Sequence, residues 1–208
     1  ALTFAFILGL VGFSVLWFWV NAYAFLFAVI GFVVYVGFYS LWTKRTTIHQ
    51  TLVGSISGAA PPVIGYTAVA NQFDLGALLI FVGYAFWQMP HSWGIAVYRF
   101  QDYKNASIPI LPVARSIHRT KVESLIYVIL FGVVMNGLFF FGYANWLYMA
   151  VLNILTLYWI YLSIQGFKVK DDEAWAKQYF MYSVKLITVI SILFCFTSTA
   201  PKMPYIIF

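Results

Sequence analysis

The polar, proline-clamped stretch at residues 98–112 carries the residue types best suited to chemistry in this chain. Arg99, Asp102 and Lys104 fall where a spanning helix would leave the lipid, and Pro109 and Pro112 hold the apolar Ile108, Ile110 and Leu111 extended. A carboxylate at such a depth can hold Mg2+, which prefers oxygen ligands and often shares them with substrate phosphates. The cations beside it can grip a phosphorylated ligand, arginine through a forked set of donors and lysine as a point charge. The plainer alternative is that Asp102 balances its own Lys and Arg neighbours. A simple hairpin needs no apolar stretch of this length. The loop from Tyr98 to Lys121 is therefore expected to fold back over a cavity mouth as a lid.

A second group of candidates closes an earlier apolar run. Lys44 and Arg45 are either anchors at a membrane surface or partners of a diphosphate, and Tyr39 lies about one and a half turns before them. In segment 54–65, Gly54, Ser55, Gly58 and Ala59 form a face of small residues that lets a neighbouring backbone approach closely. Pro61 and Pro62 remove two amide donors and free the carbonyls of Ser57 and Gly58. That feature is either a kink that improves packing or a broken helix lining a pocket. His91, inside an apolar run after Trp87, Gln88, Met89 and Pro90, is either a functional histidine (haem ligation or proton handling) or a hydrogen-bonded structural one. His49 and His118 carry no signal. Asp171, Asp172 and Glu173 look like a metal site but read better as a helix start, with Asp171 or Asp172 as N-cap and acids in the first turn.

The elements that must position these groups are membrane helices. Apolar and aromatic residues make up 63% of the chain and charged ones 9%, against about 25% charged in a soluble domain. With so few ionic groups the chain could not cover its own surface in water. A bilayer span needs roughly 20 apolar residues in a helix. Seven such segments are expected, near 1–20, 22–42, 51–70, 75–97, 122–142, 145–166 and 179–199. Runs such as residues 31–38 do not alternate polar and apolar, which excludes a β-barrel. The expectation is one all-α membrane domain, a polytopic transmembrane helix bundle over residues 1–208.

Charge sets its orientation. One side of the expected bundle holds Lys44, Arg45, Arg99, Lys104, Arg115, Arg119, Lys121, Lys168, Lys170 and Lys177, while the other holds only Lys202. The basic side is expected to be cytoplasmic. The net charge of +6 thus reports topology, and nucleic acid is not an expected partner. Cys195 is the only cysteine, so neither an internal disulfide nor a cysteine cluster can form.

Residues 39–45, 58–65, 87–91 and 102–112 together resemble the haem branch of the UbiA-type membrane prenyltransferases, the protohaem IX farnesyltransferase (haem O synthase) family. The resemblance covers essentially all 208 residues. Its most specific part is Trp87 to His91 combined with Asp102, Tyr103, Pro109 and Pro112. It implies a fold of nine transmembrane helices around a cavity near the cytoplasmic side of the bacterial inner membrane. It implies transfer of a farnesyl group from farnesyl diphosphate to a vinyl group of haem B, giving haem O for a haem-copper oxidase, whose assembly machinery is a further possible partner. It also implies Mg2+ as cofactor, Asp102 as catalytic and metal-binding residue, Tyr39, Lys44, Arg45, Arg99 and Lys104 as diphosphate contacts, and His91 as the haem candidate.

One departure bears on this. The aspartate-rich motif that follows the family's second helix does not occur in these residues. Together with seven spans and Ala1 in place of Met, this fits a chain beginning just after that motif, and such a fragment is expected to be inactive alone. Two other readings compete on the residues themselves. A transporter would also show broken helices and a basic vestibule, although its polar groups should lie at mid-membrane. A relative that prenylates quinone precursors would share the diphosphate chemistry. A non-catalytic assembly factor would not need Asp102 beside several cations.

Overall fold

Residues 2–199 are described here, in a computed structural model. Helix α1 (Leu2–Val15) runs on through wider, π-type turns at Leu16–Val20. Asn21 breaks the chain and caps α2 (Ala22–Val33), its side chain accepting from the Ala24 amide. This helix continues through a second wide-turned stretch, Val34–Thr43, into the single turn α3 (Lys44–Thr46). There follow α4 (Gln50–Ala70), α5 (Leu75–Tyr98), the short α6 (Phe100–Asn105) and α7 (Leu111–Ala114), and the long α8 (Ile117–Phe140), α9 (Trp146–Gln165) and α10 (Asp172–Thr197).

Six of these runs are long and apolar enough to cross a membrane: Thr3–Val20, Ala22–Thr46, Gln50–Ala70, Ile117–Phe140, Trp146–Gln165 and Asp172–Thr197. The remaining expected span, 75–97, folds as α5, whose 24 residues reach about 36 Å. Gln88, His91 and Ser92 dilute its apolar character, and it falls outside those six. The reason is its place in the bundle. Helix α5 packs against α4, α8 and α10, so protein covers the faces that other spans present to lipid. The chain is an all-α polytopic membrane protein. Of the cations assigned to the two sides, Lys202 lies outside the described residues.

Burial is arranged as a bilayer requires. Leu41, Val69 and Phe196 are more than four-fifths exposed, while Ser55, Thr67, Ser124, Ser163 and Ser183 are buried. Lipid tails give helices no hydrophobic reason to associate, so small residues and polar pairs hold them. Asn136 on α8 and Asn153 on α9 exchange side-chain amide bonds at 3.1 and 2.9 Å. The helix ends carry the local chemistry expected of them. Asp74 caps α5 at Ala77, Asn145 caps α9, and Asp171 accepts from the Glu173 and Ala174 amides. Asn71 ends α4 in the left-handed region, φ 51°, a conformation asparagine tolerates. Asp172 instead pairs with Lys121, whose ammonium also donates to the Gly166 carbonyl at 2.6 Å and lies 5.0 Å from the Trp175 ring centroid. The acidic triplet is therefore spent on a helix start and one tie.

Candidate functional site

A cavity of about 510 Å3 opens where α2, α4, α5 and α6 meet, at the end of the bundle that carries Lys44 and Lys104. Two polar stripes build it. Helix α4 contributes Gln50, Thr51, Gly54, Ser57 and Gly58, and α5 contributes Gln88, Ser92 and Ile95 at helical spacing on one face. Gly31, Tyr35, Tyr39 and Lys44 come from the second span, and Tyr103 and Ile110 from the loop beyond α5.

The small residues of α4 make the space. A Cβ on Gly54 would stand 3.1 Å from the Tyr39 ring, and one on Gly58 would stand 2.5 Å from Gln88 Oε1. A Cβ on Gly31 would come within 2.9 Å of the Ala60 Cβ, which is how closely α2 and α4 pack. Helix α4 runs unbroken through Pro61 and Pro62. The two prolines thus leave the helix whole, and the carbonyls they deprive of amide partners belong to Ser57 and Gly58, both of which line the cavity.

Of the expected site residues, Tyr39 and Lys44 line the cavity, with the Lys44 ammonium 5.9 Å from the Tyr39 ring centroid. Arg45, Arg99 and Lys104 are exposed and stand outside the lining. Asp102 also stands outside it. Its side chain is 71% exposed and lies 3.6 Å from the Arg99 guanidinium. On a helix as short as α6 successive residues point about 100° apart. The buried side goes to Tyr103, which lines the cavity, so its neighbour Asp102 faces out. Burial pushes the Tyr103 hydroxyl up from its ordinary range, which keeps it protonated and a donor at neutral pH.

The apolar stretch after α6 does fold back. Ile110 and Leu111 are buried against Met89, Trp93 and Ala96 of α5, and Ile110 reaches the cavity wall.

His91 faces away from this cavity, toward α10. Its ring stacks on Trp87 at 4.5 Å between centroids, and Nδ1 lies 2.8 Å from Ser183 Oγ. Ser183 spends its own proton on the Phe180 carbonyl at 2.6 Å. Its oxygen therefore accepts from His91 Nδ1–H, which leaves the Nε2 lone pair free.

Among the described residues no three His, Cys, Asp or Glu side chains gather into a metal site. Gln50 and Ser92 are not singled out by the sequence, and Gln88 and Tyr103 appear there only within motifs, without a role of their own. The signal that could have found the α5 pair is two polar residues four apart inside an apolar run, Gln88 and Ser92.

This chain belongs to the UbiA prenyltransferase family, whose pattern matches residues 1–184. Its relatives narrow the comparison. The protoheme IX farnesyltransferase of Acinetobacter baylyi is 68% identical over 206 residues, which is 98% of this chain and 70% of that protein. A protoheme IX farnesyltransferase of Acinetobacter baumannii is 67% identical over the same shares. Protoheme IX farnesyltransferase 2 of Pseudomonas fluorescens is 50% identical over 97% of this chain and 68% of its own length. No solved structure matches the chain.

Proposed function

We propose that this protein transfers the farnesyl group of farnesyl diphosphate to a vinyl group of haem B, giving haem O, at the basic, cytoplasmic end of a bacterial inner-membrane bundle. The observation that carries the reading is the cavity between α4 and α5, lined by Lys44, Tyr39 and neutral donors, in a chain 68% identical to a protoheme IX farnesyltransferase.

In this reading Lys44 and the Tyr39 hydroxyl meet the diphosphate inside the cavity, and Arg45, Arg99 and Lys104 draw it in from the surrounding surface. Fixed donors favour the charge that grows on the departing diphosphate more than the charge of the bound ester, and that difference lowers the barrier. The allylic C–O bond breaks with its electron pair leaving on the diphosphate. The vinyl π electrons then form the new C–C bond, and water adds to the resulting cation and loses a proton. Apolar and aromatic walls, Tyr35 and Ile110 among them, keep water from the allylic carbon until then. Asp102, exposed beside Arg99 and outside the cavity lining, would offer one carboxylate to Mg2+, an ion that prefers oxygen donors. When bound, the ion neutralises part of the leaving-group charge. His91, on the α10 side of α5 and outside the cavity, is kept as the candidate ligand for haem iron on its motif alone.

Membranes containing the full-length protein, given haem B, farnesyl diphosphate and Mg2+, are expected to accumulate haem O, identified by chromatography and mass. Prenylated hydroxybenzoate formed in its place, or isoprenoid flux into liposomes without product, would replace this reading.

A further inference from the structure

The first turn of α4 has a feature that the assigned cations do not explain. Gln50 is 2% exposed and lines the cavity, yet its Nε2 has no hydrogen-bond partner among the described residues. A buried amide donor left unmade is costly, more so at membrane depth. The same residue opens a 21-residue helix that no side chain caps. Of the first amides, Gln50 and Val53 reach the carbonyls of Thr47 and His49, and the geometry of a helix start leaves those of Thr51 and Leu52 free. Thr51 also lines the cavity. An uncapped helix N-terminus carries about half a positive charge, and its amides point at whatever lies beyond it.

We infer that the N-terminal turn of α4, with the Gln50 side-chain amide as its principal donor, is a phosphoryl subsite inside the cavity. It works beside Lys44 and takes the terminal phosphate of the prenyl diphosphate. This rests on the proposed function and adds to it a neutral grip that persists whichever cations hold the rest of the ligand. Lacking an ionised side chain, such a subsite binds the anion without forming a strong ion pair that product release would have to break.

The test is binding of farnesyl diphosphate and of farnesol to purified, detergent-solubilised protein, in the parent and in the variants Gln50→Leu and Gln50→Glu. Gln50→Leu is expected to weaken farnesyl diphosphate about tenfold, the loss of one hydrogen bond to a charged group, and Gln50→Glu more than that. Farnesol affinity and melting temperature should stay near the parent's in at least one variant. Thr51→Val, which spares the amide, should have a smaller effect than either. Farnesyl diphosphate affinity unchanged in both Gln50 variants would overturn the subsite while leaving the function standing. Equal loss of both ligands would assign Gln50 a purely structural role. A parent that binds farnesol as tightly as its diphosphate would remove the function and the subsite together.

Discussion

Replacing Gly58 by alanine separates what the α4 face does for stability from what it does for the site. A Cβ there would meet Gln88 at 2.5 Å for Oε1, 2.9 Å for Cδ and 3.3 Å for Nε2. Those atoms end a flexible, half-buried side chain, so Gln88 can retreat by about 1 Å with a rotamer change that costs about 1 kcal/mol. Alanine in a helix interior is about 1 kcal/mol better than glycine. The two nearly cancel, so the melting temperature should stay within about 4 °C of the parent's. Function should not stay. Gln88 is one of the neutral donors of the lining, and in the proposed function its displaced amide would no longer meet the diphosphate, which should lower turnover about tenfold. Turnover is read as haem O formed per protein and stability as thermal unfolding in detergent. If the contact is the cause, Gly58→Ala combined with Gln88→Ala should be no worse than Gln88→Ala alone, a non-additivity expected of residues in contact. A variant with full turnover, or one that loses more than about 10 °C, would refute the reasoning, since either result means that Gln88 is not the group that gives way.

Three further outcomes follow from the geometry. Asp102→Asn should leave the melting temperature unchanged, because an exposed pair with Arg99 contributes little, and should sharply lower turnover; unchanged turnover would take Asp102 out of the reaction. Lys121→Met should cost about 2 kcal/mol after allowing for the partly solvated Asp172, and a double-mutant cycle with Asp172→Asn should recover a coupling between the two. Asn136→Leu should loosen α8 from α9 by about 1 kcal/mol, and Asn136→Leu with Asn153→Leu should melt no lower than the single change, since neither amide is then left without its partner.

Much of this molecule was readable before it was folded, because lipid forces a simple code. Every span had to be a helix, and the breaks between spans, the one before α4 apart, fall at a capping residue such as Asn21, Asp74, Asn145 or Asp171. The small-residue face of α4 and the folded-back Ile110 were legible for the same local reasons. What the sequence hid was direction around an axis. Charges marked one end of the bundle, but nothing local says that Lys44 points inward while Arg45, one residue on, does not. His91 drew attention because histidine is rare in a span, although the residue of that motif that lines the cavity is Gln88. The buried Lys121 read as one more surface cation because its partners, Gly166 and Asp172, lie 45 and 51 residues away.

The wide turns of Val34–Thr43 carry a consequence for how this protein tolerates length changes. A turn of this pitch contains more chain than an ordinary helical turn of the same rise. Loss of one residue there can be absorbed by tightening a single coil, so that Lys44 still arrives where it does now. The same deletion in α4 has no slack to draw on and would swing everything on one side of it by about 100°. The second span is thus the place where one residue can be lost with least displacement of Lys44, provided that the residue is neither Tyr35 nor Tyr39.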